Sequence, residues 1–156
     1  MRINIVFVGK TGFRDIESAI ERYVERLTHY CPVQVHYVKA EKIAPGIKDE
    51  VVMGREGERI AKLAGRKGHL VVLDRAGREF DSPSLAGFVL KLMESGVPEL
   101  WLAVGGPLGI SDELRKNADG VLSLSRMTYA HDVARLVLVE QLYRAFTIIK
   151  GEPYHK

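Results

Sequence analysis

A chain of 156 residues, 46% hydrophobic and 28% charged, is long enough to bury one sizeable core and has the composition of a soluble globular domain. Its single cysteine, Cys31, excludes an internal disulfide and a thiolate metal cluster, and no apolar run approaches the ~20 residues that span a membrane. A net charge of +3 and an isoelectric point near 9.0 lean mildly toward an anionic partner.

Met1-Arg2-Ile3 runs straight into an apolar strand, Ile3 to Val8, with no signal-peptide pattern, so a cytoplasmic location is expected. Gly9 ends that strand, and Lys10-Thr11-Gly12 forms the loop after it. From Asp15 a helix begins, with Ile16, Ala19, Ile20, Tyr23, Val24 and Leu27 on one apolar face. Glu17, Glu21, Arg22, Glu25 and Arg26 lie on its outer side. Pro32 stops continuation, and Val33 to Val38 alternates like a half-exposed strand at a sheet edge, with His36 on its polar side as ordinary surface. Lys39 to Lys48 is a basic connector carrying Lys39, Lys42 and Lys48, suited equally to phosphate contact and to solvent. The helix from about Asp49 to Leu63 contains Gly54 and Gly57, each expected to weaken it by roughly 1 kcal/mol against alanine. Gly65-Arg66-Lys67-Gly68 ends that helix; His69 to Leu73 is a third strand and Asp74 to Glu79 a polar loop. Ser82-Pro83 opens the next helix as cap and first residue, with Leu85, Phe88, Val89 and Leu92 as its buried stripe.

The stretch from Leu100 to Tyr129 carries the candidate site. Leu100 to Val104 reads as a buried strand and Gly105-Gly106-Pro107-Leu108-Gly109 as the loop at its end. Ser111-Asp112-Glu113 caps a short helix and gives it an acidic first turn. Val121-Leu122 is a fifth strand that leads into the hydroxyl-rich Ser123 to Tyr129. Taken alone, the glycines read first as a tight turn, and they fit neither the dinucleotide fingerprint nor a phosphate loop. Two strand ends followed by such loops nonetheless mark where open α/β sheets bind ligands. The alternation of strands and helices predicts one α/β domain over residues 1–156, a mostly parallel sheet with helices on both faces.

The last helix, His131 to Thr147, is apolar around its circumference, which implies burial on every side and a homodimer formed through it. Glu140 and Arg144, one turn apart, either pair with each other or leave Arg144 for substrate. The tail Lys150 to Lys156 carries Tyr154 and His155, which either fray as termini do or fold over a bound base. The histidines show no metal-ligand spacing, so no metal is expected.

Gly105 to Gly109, Ser123 to His131, Glu140-Gln141-Leu142-Tyr143-Arg144-Ala145 and Tyr154-His155-Lys156, in that order and spacing, resemble the ribosomal RNA large subunit methyltransferase H family of the SPOUT class. The likeness includes Val6 to Lys10 and Leu73-Asp74 and covers essentially the whole chain. It implies a SPOUT-type sheet with a C-terminal trefoil knot and S-adenosyl-L-methionine as methyl donor. It also implies methylation of N3 of a pseudouridine in 23S rRNA, on assembled ribosomes, by a homodimer. Carried over by position, the cofactor pocket comprises Leu73, Gly105 and the loop of Leu124, Ser125, Arg126, Met127, Thr128 and Tyr129. Ala130 departs from the proline usual in the family before the histidine.

Attack by N3 requires its proton to leave, which calls for a base or an anion-stabilising cation. His131, Arg144, Tyr154 and His155 are the candidate catalytic residues, with none singled out as the base. Lys10, Arg22, Arg26, Arg126 and Lys156 are candidate RNA contacts, although Arg22 and Arg26 read as readily as surface charge. Two alternatives stand beside this reading. A non-catalytic RNA-binding protein on the same fold predicts RNA binding without cofactor affinity, and a small-molecule methyltransferase predicts turnover without RNA.

Overall fold

The computed structural model describes residues 1–65 and 68–155; Arg66 and Lys67 of the expected turn, and Lys156 among the candidate RNA contacts, lie outside the described residues. Strands β1 (Arg2–Val8), β2 (Val33–Val38), β3 (His69–Glu79), β4 (Glu99–Val104) and β5 (Gly120–Ser123) alternate with five helices. Among the described residues these are α1 (Arg14–Thr28), α2 (Asp49–Ala64), α3 (Ser82–Glu94), α4 (Asp112–Asn117) and α5 (His131–Ile149). Every strand pairing is parallel, in the order β2-β1-β4-β3-β5, which puts β2 at an edge as its alternating pattern required.

Strand side chains alternate between faces, so each central strand feeds two cores. Ile3, Ile5 and Phe7 of β1, with Leu100, Leu102 and Val104 of β4, pack under α1, α3 and α5. Val6 and Val8, with Trp101 and Ala103, pack under α2 and α4. Cover on both faces is why β1 and β4 read as continuous apolar runs.

Three local expectations are corrected. Asp74 to Glu79 is not a loop: β3 continues through it, pairing with β5 after a register shift between Leu73 and Arg78. The segment is polar because it runs past the end of β4 and meets only one neighbouring strand. A Cβ on Gly77 would lie 2.7 Å from the Val121 and Leu122 backbone, so glycine permits the irregular crossing. The cap of α3 is Asp81, not Ser82; its Oδ1 accepts a hydrogen bond from Ser84 N at 2.7 Å. His36 is more than ordinary surface, since its Nε2 lies 3.0 Å from Asn4 Oδ1 and its ring stacks on Trp101 at 5.1 Å. Burial holds its pKa below the usual histidine value. Within one chain α5 leaves part of its circumference open, the side expected to meet a second copy: Val133 is 37% exposed and Leu136, Val137 and Ile148 are half-buried.

Candidate functional site

β4, β3 and β5 are neighbours in a parallel sheet, so their carboxyl ends open on the same side. There they enclose a cavity of about 550 Å³, within the range of small-molecule sites. Leu73, Gly105, Leu124, Ser125, Met127, Thr128 and Tyr129 line it, together with His131 at the start of α5. Arg126 belongs to the same loop but its side chain leaves the cavity, 92% exposed and 3.8 Å from Glu79 Oε1. Val104, Ile110 and Leu122 add apolar wall, while Asp74, Arg75 and Arg115 bring charged side chains to the lining.

Both loops have local reasons for their shape. Gly109 N donates to Gly106 O at 2.9 Å, and Gly109 adopts φ +94°, a region that favours glycine. A side chain on Gly105 would collide with the Gly109 carbonyl, so the turn closes only without one. In the second loop the hydroxyls act on the backbone. Ser123 Oγ donates to Ser125 O at 3.0 Å, and Ser125 Oγ accepts from Met127 N at 3.0 Å.

Beyond Ala130, the first turn of α5 carries an ionic cluster that the apolar projection of this helix passed over. Arg135 is fully buried; it donates to Thr11 Oγ1 at 3.1 Å and to the Val8 carbonyl at 2.5 Å, and lies over the Phe7 ring. Asp132 Oδ1 is 3.4 Å from Arg135 and 3.1 Å from His131 Nε2, while its Oδ2 accepts from Gly12 N at 2.8 Å. Burial lowers the Arg135 pKa, with Asp132 opposing that shift. The cluster ties the end of β1 to the start of α5 and fixes where His131 sits. Its signal was in the sequence as an Asp132–Arg135 pair three residues apart.

Glu56 was also missed. It is 3% exposed and stands behind the glycine loop, where a Cβ on Gly106 would lie 2.9 Å from its Oε2. Its Oε1 accepts from Glu41 N at 2.9 Å, whereas Oε2 has no partner among the described residues. Burial pushes its pKa up, against the Glu41 N–H and Arg59. Arg59 itself turns away to the Glu41 carboxylate and to the Lys39 carbonyl. The signal was the four-residue spacing Val52, Glu56, Ile60, which puts a carboxylate on the apolar face of α2.

Arg144, Tyr154 and His155 are elsewhere in the single chain. At about 1.5 Å per residue, the steps along α5 from His131 to Arg144 span about 20 Å. Arg144 Nη2 pairs with Glu140 Oε1 at 2.6 Å, and its guanidinium lies 4.7 Å from the centre of the Tyr154 ring. The Tyr154 hydroxyl reaches Glu140 Oε1 at 3.1 Å and Tyr23 Oη at 3.3 Å, and Tyr30 Oη donates to Glu152 Oε2 at 2.5 Å. The tail is therefore docked on α1 and α5 rather than loose, and His155 is exposed beyond it. Burial first, then Tyr23 and Glu140, push the Tyr154 phenol up. Lys10, Arg22 and Arg26 are exposed, with Arg26 5.8 Å from the centres of the Tyr23 and Tyr143 rings. Among the described residues no group of three or more His, Cys, Asp or Glu could hold a metal ion, and no helix is long and apolar enough to cross a membrane.

Comparison with known proteins gives concordant matches. The family model described as "Predicted SPOUT methyltransferase" matches residues 1–155. The Ribosomal RNA large subunit methyltransferase H of Syntrophobacter fumaroxidans is 56% identical, with 100% of both chains aligned. The protein of that name from Geobacter sulfurreducens is 41% identical over 99% of both. A solved structure, a probable methylase family protein from Haemophilus influenzae, shares the fold with a TM-score of 0.55 at 15% identity, over 99% of this chain and 70% of that one.

Proposed function

The chain belongs to the SPOUT methyltransferase family, and on that premise we propose that it transfers a methyl group from S-adenosyl-L-methionine to N3 of a pseudouridine in the 23S rRNA of assembled ribosomes. It is a methyltransferase of large-subunit ribosomal RNA, and no observation favours a non-catalytic or small-molecule alternative. The observation that carries the finer reading is the cavity at three adjoining strand ends, lined by positions that the family resemblance assigns to the cofactor.

The lining fits that cofactor. Leu73, Leu122 and Leu124 offer apolar walls for an adenine ring, the loop backbone offers donors and acceptors for its edge, and Gly105 presents bare backbone. When bound, S-adenosyl-L-methionine supplies the electrophilic methyl group. His131 faces the same cavity with Asp132 beside its ring, and in this reading it takes the N3 proton. The docked tail reaches the cavity through the homodimer. Two copies packed antiparallel on the half-buried face of α5 (Val133, Leu136, Val137) bring one copy's Arg144, Tyr154 and His155 toward the other's His131. There Tyr154, which retains its proton, donates and stacks rather than acting as the base. The trefoil knot and a cytoplasmic location complete the reading.

The test is methyl incorporation from labelled S-adenosyl-L-methionine into ribosomes carrying unmethylated pseudouridine, beside free rRNA and uridine-containing ribosomes. Label on the first substrate alone is expected. Label on free rRNA or on uridine would overturn the assigned target.

A further inference from the structure

A carboxyl group with one satisfied oxygen and one bare oxygen, enclosed in a protein interior, disfavours its charged form unless something cationic comes near it. Glu56 is such a group, and its Oε2 has no hydrogen-bond partner among the described residues. Arg59, the basic residue one turn along α2, is occupied by Glu41 and the Lys39 carbonyl. The missing side chain of Gly106 allows the carboxyl group to approach the glycine loop, and Gly106 also lines the cavity. The Gly106 backbone thus lies between the bare Glu56 oxygen and whatever sits on the glycine loop.

We propose that Glu56 is the counter-charge for a cationic ligand on the glycine loop, and that it makes the cavity prefer the sulfonium cofactor over its neutral demethylated product. The inference rests on the methyltransferase reading above. Glu56 touches neither ligand; it acts through the field that it projects across Gly106. That field weakens when the methyl group has left, because S-adenosylhomocysteine has a thioether where the cofactor has a positive sulfur. The charge therefore favours exchange of spent product for fresh cofactor.

Titration calorimetry of the full chain with S-adenosylmethionine and with S-adenosylhomocysteine, in wild type and Glu56→Gln, tests this. Glutamine retains the acceptor for Glu41 N and removes only the charge. The expected result is about a tenfold loss of affinity for S-adenosylmethionine, with S-adenosylhomocysteine changed less than about twofold. The apo variant should melt at or above the wild-type temperature, since a buried carboxyl with a bare oxygen has gone. Equal loss for both ligands, no loss for either, or an unfolded variant would each overturn the proposal, because Glu56 would then serve structure or nothing. If wild type binds neither ligand, the methyltransferase reading itself has failed.

Discussion

Arg135 is among the largest fully buried side chains in the molecule, and its charge is balanced by Asp132 three residues before it. Arg135→Met should lower stability by about 3–5 kcal/mol in urea denaturation, because it strands a buried carboxylate, and adding Asp132→Asn should restore part of that loss. Ala130 precedes α5 with φ −56° and ψ 139°, an angle that proline adopts freely, and its N–H makes no hydrogen bond among the described residues. Ala130→Pro should therefore raise stability by about 0.4–1 kcal/mol in the same assay. The Glu41 carboxyl is held below the usual glutamate value, chiefly by its hydrogen bond from Arg59, with Arg55 adding to it against desolvation. A depressed value stabilises the fold fully at neutral pH and is lost as pH falls through it. Glu41→Gln should accordingly flatten the fall in melting temperature below about pH 4.

At the scale of the element, the two glycines of α2 look alike in sequence and differ in structure. A Cβ on Gly54 would meet nothing within 4 Å, whereas one on Gly57 would lie 2.6 Å from Ser111 Oγ, the cap of α4. Gly54→Ala should stabilise by about 0.5–1 kcal/mol, as helix propensity demands. Gly57→Ala should destabilise by about 1 kcal/mol, because it displaces that cap, and thermal melts of the two variants should shift in opposite directions. The end of β3 was misjudged for a related reason. Its polar residues signal solvent, but a strand at the rim of a sheet is polar as well, and only its pairing with β5 tells the two apart.

For the whole molecule, the question is what covers the outer face of α5. Its inner side holds Leu138, Leu142 and Phe146 against the sheet, while Val133, Leu136 and Val137 remain partly open. Wild type should sediment as a dimer at micromolar concentration, and Val137→Glu should yield a folded monomer that has lost methyl transfer, because the partner's tail no longer reaches the cavity. A folded, active monomer would disprove the shared site.

The order of elements, the parallel sheet with two covered faces and the two site loops could be read from local pattern alone. Apolar runs such as Leu100 to Val104 and punctuation such as Gly105 to Gly109 act over a few residues, so neighbouring letters suffice. Local spacing marks Glu56 and Arg135 on their helices, but their surroundings could not be read in that way. Each is a charge whose environment is assembled from segments far apart in the chain: Glu41, Glu56 and Gly106 in one case, Val8, Thr11 and Arg135 in the other. Burial and electrostatic pairing are properties of proximity in space, and only the tertiary fold decides them.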